Sequence, residues 1–322
     1  MKLGVLTNLF GNWPLEKACA YFEKLGIEEL EIGCGGYPGK DHCDPEILLN
    51  DDAALKKFLK TIKDHHLSIS CLSCHGNPVH PNKEIAAAYH KDFENAVLLA
   101  EKIGIDTIVT FSGCPGDSRS AKYPNWVTCP WPDDFLTILD WQWKKVLIPY
   151  WKKAVRFANE HGVKHIALEM HPGFCVYNPE TLLKLRAAVG DTIGANFDPS
   201  HLIWQGMDPV MAIRSLRGCI YHFHAKDTNL NPEVMAKYGV LDTKHYSDEA
   251  NRAWIFRSVG YGSDTKKWKD IMSELVLAGY TEAICIEHED SLMAPEEGLE
   301  KAVAELKSVI ITKGKPVGMR WA

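Results

Sequence analysis

Eight short apolar runs recur along the chain, at 3–8, 28–33, 67–74, 105–111, 164–170, 192–198, 218–224 and 282–288. Each is followed by a stretch with helical periodicity, near 14–26, 51–66, 84–103, 142–162, 178–189, 208–216, 264–279 and 295–312. A strand followed by a helix returns the chain to the same end of the sheet, so successive strands pair in parallel. Eight such units without a break in composition favour one closed (β/α)8 TIM barrel, a single α/β domain over 1–322. A doubly wound open sheet is the alternative. It would place a glycine-rich turn after the first strand, and Thr7-Asn8-Leu9-Phe10-Gly11-Asn12 is not one.

Local signals agree with these boundaries. Asn178-Pro179-Glu180 and Asp208-Pro209 place a capping side chain before a proline in the first helical turn. Gly26, Gly104, Gly162 and Gly279 stand where helices should stop. Three connections are long: 33–50, 112–140 and 225–263, after strands two, four and seven. They follow strand C-terminal ends, the face on which barrels build their sites. The second holds Pro115, Pro124, Trp126, Pro130, Trp131 and Pro132, which reads as an ordered lid or an interface.

The strand ends are polar. In order they offer Thr7 and Asn8, Glu31, His75, Ser112, Glu169 with His171, Asp198 with His201, His222 with His224 and Lys226, and Glu287 with His288 and Glu289. Barrel closure brings such ends to one mouth. Strand alternation sets Glu169 with Ala167, Asp198 with Asn196, His224 with His222, and Glu287 with Cys285 on the inner face. Three carboxylates and an imidazole so placed repel one another unless a cation sits among them. This oxygen-rich set suits one divalent ion, Mn²⁺ first, with Mg²⁺, Co²⁺ or Zn²⁺ as alternatives. His75, His171 and His288 are further acid–base candidates, and Trp13, Trp126, Trp131 and Trp204 are candidates to stack on a sugar ring. Lys226 either neutralises charge that develops on a substrate or pairs with Asp227.

Composition narrows the class. A net charge of -6 argues against a broad nucleic-acid surface. No run approaches membrane-spanning length. The ten cysteines fall largely in apolar runs, including Cys71, Cys219 and Cys285, and read as reduced buried thiols of a cytoplasmic protein. Cys71-Leu72-Ser73-Cys74 has no second pair to make a metal knuckle.

At ALEMHPGF, GANFDPSHL, YHFHAKD, FRSVGYG and CIEHED the chain resembles the sugar phosphate isomerase/epimerase-like, or xylose isomerase-like, TIM barrels. The resemblance implies a divalent ion held by Glu169, Asp198, His224 and Glu287. It further implies that Glu169 and Glu287 move protons on the two faces of a sugar, and that His201 and Arg257 contact substrate oxygens. His75, His171 and Lys226 complete the expected substrate-binding set. The implied reaction removes a proton beside a carbonyl through a metal-stabilised enediolate, as an isomerase or epimerase does. A lyase or dehydratase that eliminates a β-substituent from a keto sugar or 3-keto glycoside is the alternative. A phosphodiesterase like endonuclease IV is less favoured. Its zinc cluster needs a histidine at the end of strand four and an Asp-x-His pair, where this chain has Phe111-Ser112-Gly113 and Arg257-Ser258-Val259-Gly260. A non-catalytic sugar-binding barrel would carry the ring without the metal. The expected partners are a small sugar or glycoside and further copies of the chain or a second subunit, with no nucleic acid and no membrane.

Overall fold

A computed structural model describes residues 1–313; the last nine positions of the expected 1–322 domain lie outside the described residues. Eight parallel strands close into a barrel. They are β1 (Lys2–Leu6), β2 (Glu29–Gly33), β3 (Ser68–Ser73), β4 (Thr107–Phe111), β5 (His165–Glu169), β6 (Ile193–Phe197), β7 (Ile220–Ala225) and β10 (Ala283–Ile286). The order is β1-β10-β7-β6-β5-β4-β3-β2. Every expected strand is present, and the open-sheet alternative falls because β1 pairs with β10.

The main helices are α1 (Leu15–Leu25), α3 (Asp52–Asp64), α4 (Lys83–Ile103), α6 (Ile148–Glu160), α7 (Pro179–Val189), α9 (Pro209–Ser215), α11 (Thr265–Ala278) and α12 (Pro295–Val309). Their apolar faces, such as Ala18, Cys19 and Phe22 of α1, pack on the outward side chains of the strands in one core. The helix signals act as expected. Asn178 and Thr181 form a reciprocal capping box, Asp208 caps α9, and Gly26 ends α1 at φ 71°. No described helix is long and apolar enough to cross a membrane.

The structure differs from expectation inside the long connections. Short helices α2 (Pro45–Asn50) and α10 (Pro232–Tyr238) lie there, and α8 (Pro199–Ile203) follows β6; each is too short to show periodicity in sequence. The helix expected at 142 begins earlier, as α5 (Asp134–Trp141), and reaches α6 through a wider turn over Gln142–Leu147. The 225–263 connection contains an antiparallel hairpin of β8 (Asp227–Leu230) and β9 (Trp254–Arg257).

Asp227 fixes this hairpin to the barrel. It is fully buried, and Oδ2 accepts hydrogen bonds from the backbone N–H of Gly260, Gly262 and Ser263 at 3.1, 3.1 and 2.8 Å. The same oxygen accepts from Trp268 Nε1 at 3.2 Å, while Oδ1 takes the Thr228 N–H at 2.9 Å. The loop comes so close that a Cβ on Gly262 would lie 2.2 Å from the Thr228 carbonyl oxygen. Asp227→Ala leaves several buried donors without an acceptor. It should cost on the order of 4 kcal/mol in a urea unfolding series.

Candidate metal centre

The ring of strand ends is assembled as expected. Glu169 ends β5, Asp198 follows β6, His224 lies near the end of β7, and Glu287 follows β10. One ligand atom from each lies within 4.8 Å of all the others. Glu169, Asp198 and His224 are buried; the Glu287 side chain keeps 15% exposure, toward the mouth.

Local structure aims each group. Asp198 caps α8: its Oδ1 accepts the Ser200 N–H at 2.8 Å, which turns Oδ2 toward the ring. One helical turn then sets His201 Nε2 3.3 Å from that Oδ2 and 2.9 Å from Glu169 Oε1. The other oxygen of Glu169, Oε2, meets His75 Nε2 at 2.9 Å and Asn196 Nδ2 at 3.3 Å. His224 Nδ1 lies 3.1 Å from Glu287 Oε2 and 3.4 Å from Glu169 Oε2. Lys226, one strand step further out on the same face, places Nζ 2.7 Å from Glu287, 2.8 Å from Glu289 and 3.1 Å from Asp198.

The electrostatics follow from burial and these contacts. Burial alone would raise the Glu169 carboxyl, but hydrogen bonds from His201 and His75 and the charge on His224 hold it well below the usual carboxylate range. Glu287, also buried, is lowered to about 2 by Lys226 and His224. His224 is raised well above the ordinary imidazole value because the charges of Glu31 and Glu287 outweigh its burial. His201 falls to about 3, through burial and the neighbouring charges of His171 and Lys226. Asp198 goes the other way. Burial pushes it up to about 7, and Glu169 and Glu287 add to the effect against Lys226.

These residues fit a divalent cation. Asp198 Oδ2 is buried and accepts no hydrogen bond, although Lys226 Nζ is near it. Buried polar atoms are rarely left so, and a cation satisfies this one. Three carboxylates and one imidazole form a hard, oxygen-rich donor set. A second group, Glu31, His222 and Cys285, also brings ligand atoms within 4.8 Å of one another. There, however, Glu31 and His222 already hydrogen-bond at 2.7 Å.

A cation held at Asp198 would require the ionised carboxylate. Between its ordinary value of 3.8 and about 7 the folded, metal-free chain holds a proton that the unfolded chain has released. This group therefore lowers metal-free stability as pH rises through that window. The same proton competes with the cation. Asp198 and His224 must each give up a proton to a cation, so apparent Mn²⁺ affinity should keep rising with pH through neutrality, as calorimetric titration across pH would show.

Above the ring lie two adjoining cavities. One, of about 370 Å³, is bounded by Asn8, Tyr37, His75, Phe111, Phe174 and Glu287. The other, of about 410 Å³, is bounded by Tyr246, Ile255, Phe256 and Ser291; His171 and Glu289 border both. A further cavity of about 480 Å³ at the opposite end includes Lys2, Asp106 and Glu282. It lies at strand N-terminal ends, away from the ring, so the site is assigned to the C-terminal mouth.

Of the expected substrate-binding residues, His75, His171, His201 and Lys226 meet at this mouth. Arg257 does not: its Nε donates to Asp290 Oδ2 at 2.9 Å, its guanidinium lies over Tyr261, and it borders neither cavity. Lys226 pairs with the ring rather than with Asp227, because consecutive strand residues face opposite sides. His288 turns away toward Ser258. The candidate tryptophans also lie elsewhere. Trp13 stacks on Phe10 and Trp204 on Trp254, Trp126 packs edge-on against Tyr177, and Trp131 is exposed. The aromatic wall is instead Phe111, stacked 4.3 Å from Phe174, and Tyr246 lines the second cavity. Phe111 was legible as the last inward position of β4.

Comparison with known proteins places this geometry. Residues 19–309 match the family described as xylose isomerase-like TIM barrel. The uncharacterized protein YfiH of Bacillus subtilis (strain 168) is 39% identical over 312 residues, covering 96% of this chain and 99% of that protein. Two solved structures share the fold at lower identity. The apo form of 3-keto-D-glucoside 4-epimerase, YcjR, from E. coli has a TM-score of 0.65 at 13% identity, over 96% of this chain and 99% of that one. The IOLI protein with a bound zinc atom has a TM-score of 0.65 at 18% identity, over 96% and 98%. The chain belongs to the xylose isomerase-like TIM barrel family.

Proposed function

We propose that this protein is a divalent-metal-dependent sugar isomerase or epimerase that abstracts a proton next to a carbonyl. The observation that carries the reading is the ring itself: two ionised carboxylates, Glu169 and Glu287, beside Asp198 and His224 at the floor of a cavity. Glu169, Asp198, His224 and Glu287 would hold the cation, Mn²⁺ before Mg²⁺, Co²⁺ or Zn²⁺. Its charge would offset the negative oxygen that develops as an enediolate forms. Glu169 takes the carbon-bound proton on one side and Glu287 serves the other, or the reverse. His201 and His75 hold Glu169 ionised and aimed. Lys226 keeps Glu287 ionised, and His171 borders the substrate space.

A specific observation favours a second reading. The cavity among Tyr246, Ile255 and Phe256 extends past Glu289 and is walled by apolar groups. It would seat a substituent beyond a monosaccharide, as elimination from a 3-keto glycoside requires. Exposed Tyr123 and Trp131 on the 112–140 connection support its use as a subunit surface.

Incubation with keto sugars and 3-keto glycosides in D2O tests both readings by NMR. Solvent deuterium at an inverted or isomerised carbon supports the first. An alkene or a released aglycone supports the second. Neither product from any of these substrates overturns both.

A further inference from the structure

Glu31 lies one layer below the ring, and no solvent reaches it. A carboxylate is costly to bury without partners, so its partners indicate its use. Its Oε2 accepts hydrogen bonds from Nε2 of both His222 and His224, each at 2.7 Å. Its Oε1 accepts from Ser73 Oγ at 2.7 Å. Because the Ser73 hydroxyl donates there, it is free to accept from His75 Nδ1, 3.1 Å away. His75 Nε2 donates to Glu169 Oε2 at 2.9 Å, so this relay uses a ring with a proton on each nitrogen. One carboxylate is thus tied directly to His224 and, through two buried side chains, to Glu169.

We infer that Glu31 is the positioning residue of the metal centre, setting two of the four ligands at once. The inference rests on the ring being a metal site and extends it by one layer. Imidazole has two nitrogens, and a ligand must present the bare one. Glu31 holds the His224 proton on Nε2 and turns Nδ1 to the ring, where Glu169 and Glu287 converge. A carboxylate behind the imidazole also makes it a more basic ligand. Through Ser73 and His75 the same group fixes the rotamer of Glu169. Strand pairing supports the assembly: β2 and β3 are neighbours, with Gly33 opposite Ser73, which brings Glu31 and Ser73 into reach on one inner face.

The test is Mn²⁺ affinity of the full chain, measured by competition with a fluorescent chelator. Glu31→Gln should weaken binding about 10- to 100-fold. Ser73→Ala, which carries no charge and touches no ligand, should weaken it less. Cys285→Ala, close to Glu31 but outside the chain of bonds, should leave it unchanged. Nitrogen-15 NMR of histidine-labelled protein supplies a readout that a merely structural role would not move. With diamagnetic Zn²⁺ bound, Glu31→Gln should shift the His224 Nε2–H resonance, because its carboxylate acceptor is gone, whatever happens to the unfolding midpoint. Unchanged affinity with an unmoved His224 Nε2–H resonance would overturn the inference. If Glu31→Gln does not fold, Ser73→Ala decides, and unchanged affinity there overturns it equally. If the unaltered protein binds no metal, it is the ring reading that fails.

Discussion

Glu169→Gln should slow deuterium uptake by a responsive keto sugar about a hundred- to ten-thousand-fold, the range for loss of a positioned general base. The amide matches the carboxylate in shape but cannot take a proton. The buried environment is built around the ionised form, with His201 and His75 each hydrogen-bonded to one oxygen at 2.9 Å. Measured at saturating Mn²⁺, the loss should fall on kcat rather than on KM, because the missing proton acceptor acts in the transition state. A loss confined to KM would move Glu169 from proton transfer to substrate binding.

His224→Ala should raise the dissociation constant for Mn²⁺ by more than about a hundredfold, beyond the usual effect of removing an outer partner. It deletes the nitrogen donor of the ring and leaves Glu31 with one imidazole, His222, in place of two. Glu287→Gln should act in the same direction while sparing that buried contact. Circular dichroism of both variants should match the unaltered protein, since neither side chain belongs to the apolar core. Tight metal binding by both variants, with the fold intact, would remove these residues from the ligand set.

The ring was legible because barrel closure is a strong constraint. Once the runs are parallel strands of one barrel, residues as distant as Glu169 and Glu287 must share a mouth, and alternation decides which face inward. Groups attached to other frames were not legible. Arg257 belongs to β9, which pairs with β8 in a hairpin outside the barrel, so its side chain follows Asp290 instead of the ring. The tryptophans were visible as aromatic residues, but their packing depends on contacts such as Trp204 with Trp254, which no local pattern encodes. Glu31 was visible as a polar strand end. Its use depends on His222 and His224, which reach it only after the barrel closes. The short helices α2, α8 and α10 were missed because each spans too few residues to show a period. The Asp-x-x-His spacing at Asp198 and His201 was nonetheless a visible trace of α8.

Metal content tests the centre most directly. Protein purified, stripped with chelator, reconstituted with Mn²⁺ and freed of excess should hold about one equivalent, as a closed four-ligand ring requires. Retention of less than about a tenth of an equivalent with Mn²⁺, Mg²⁺, Co²⁺ and Zn²⁺ alike would contradict it.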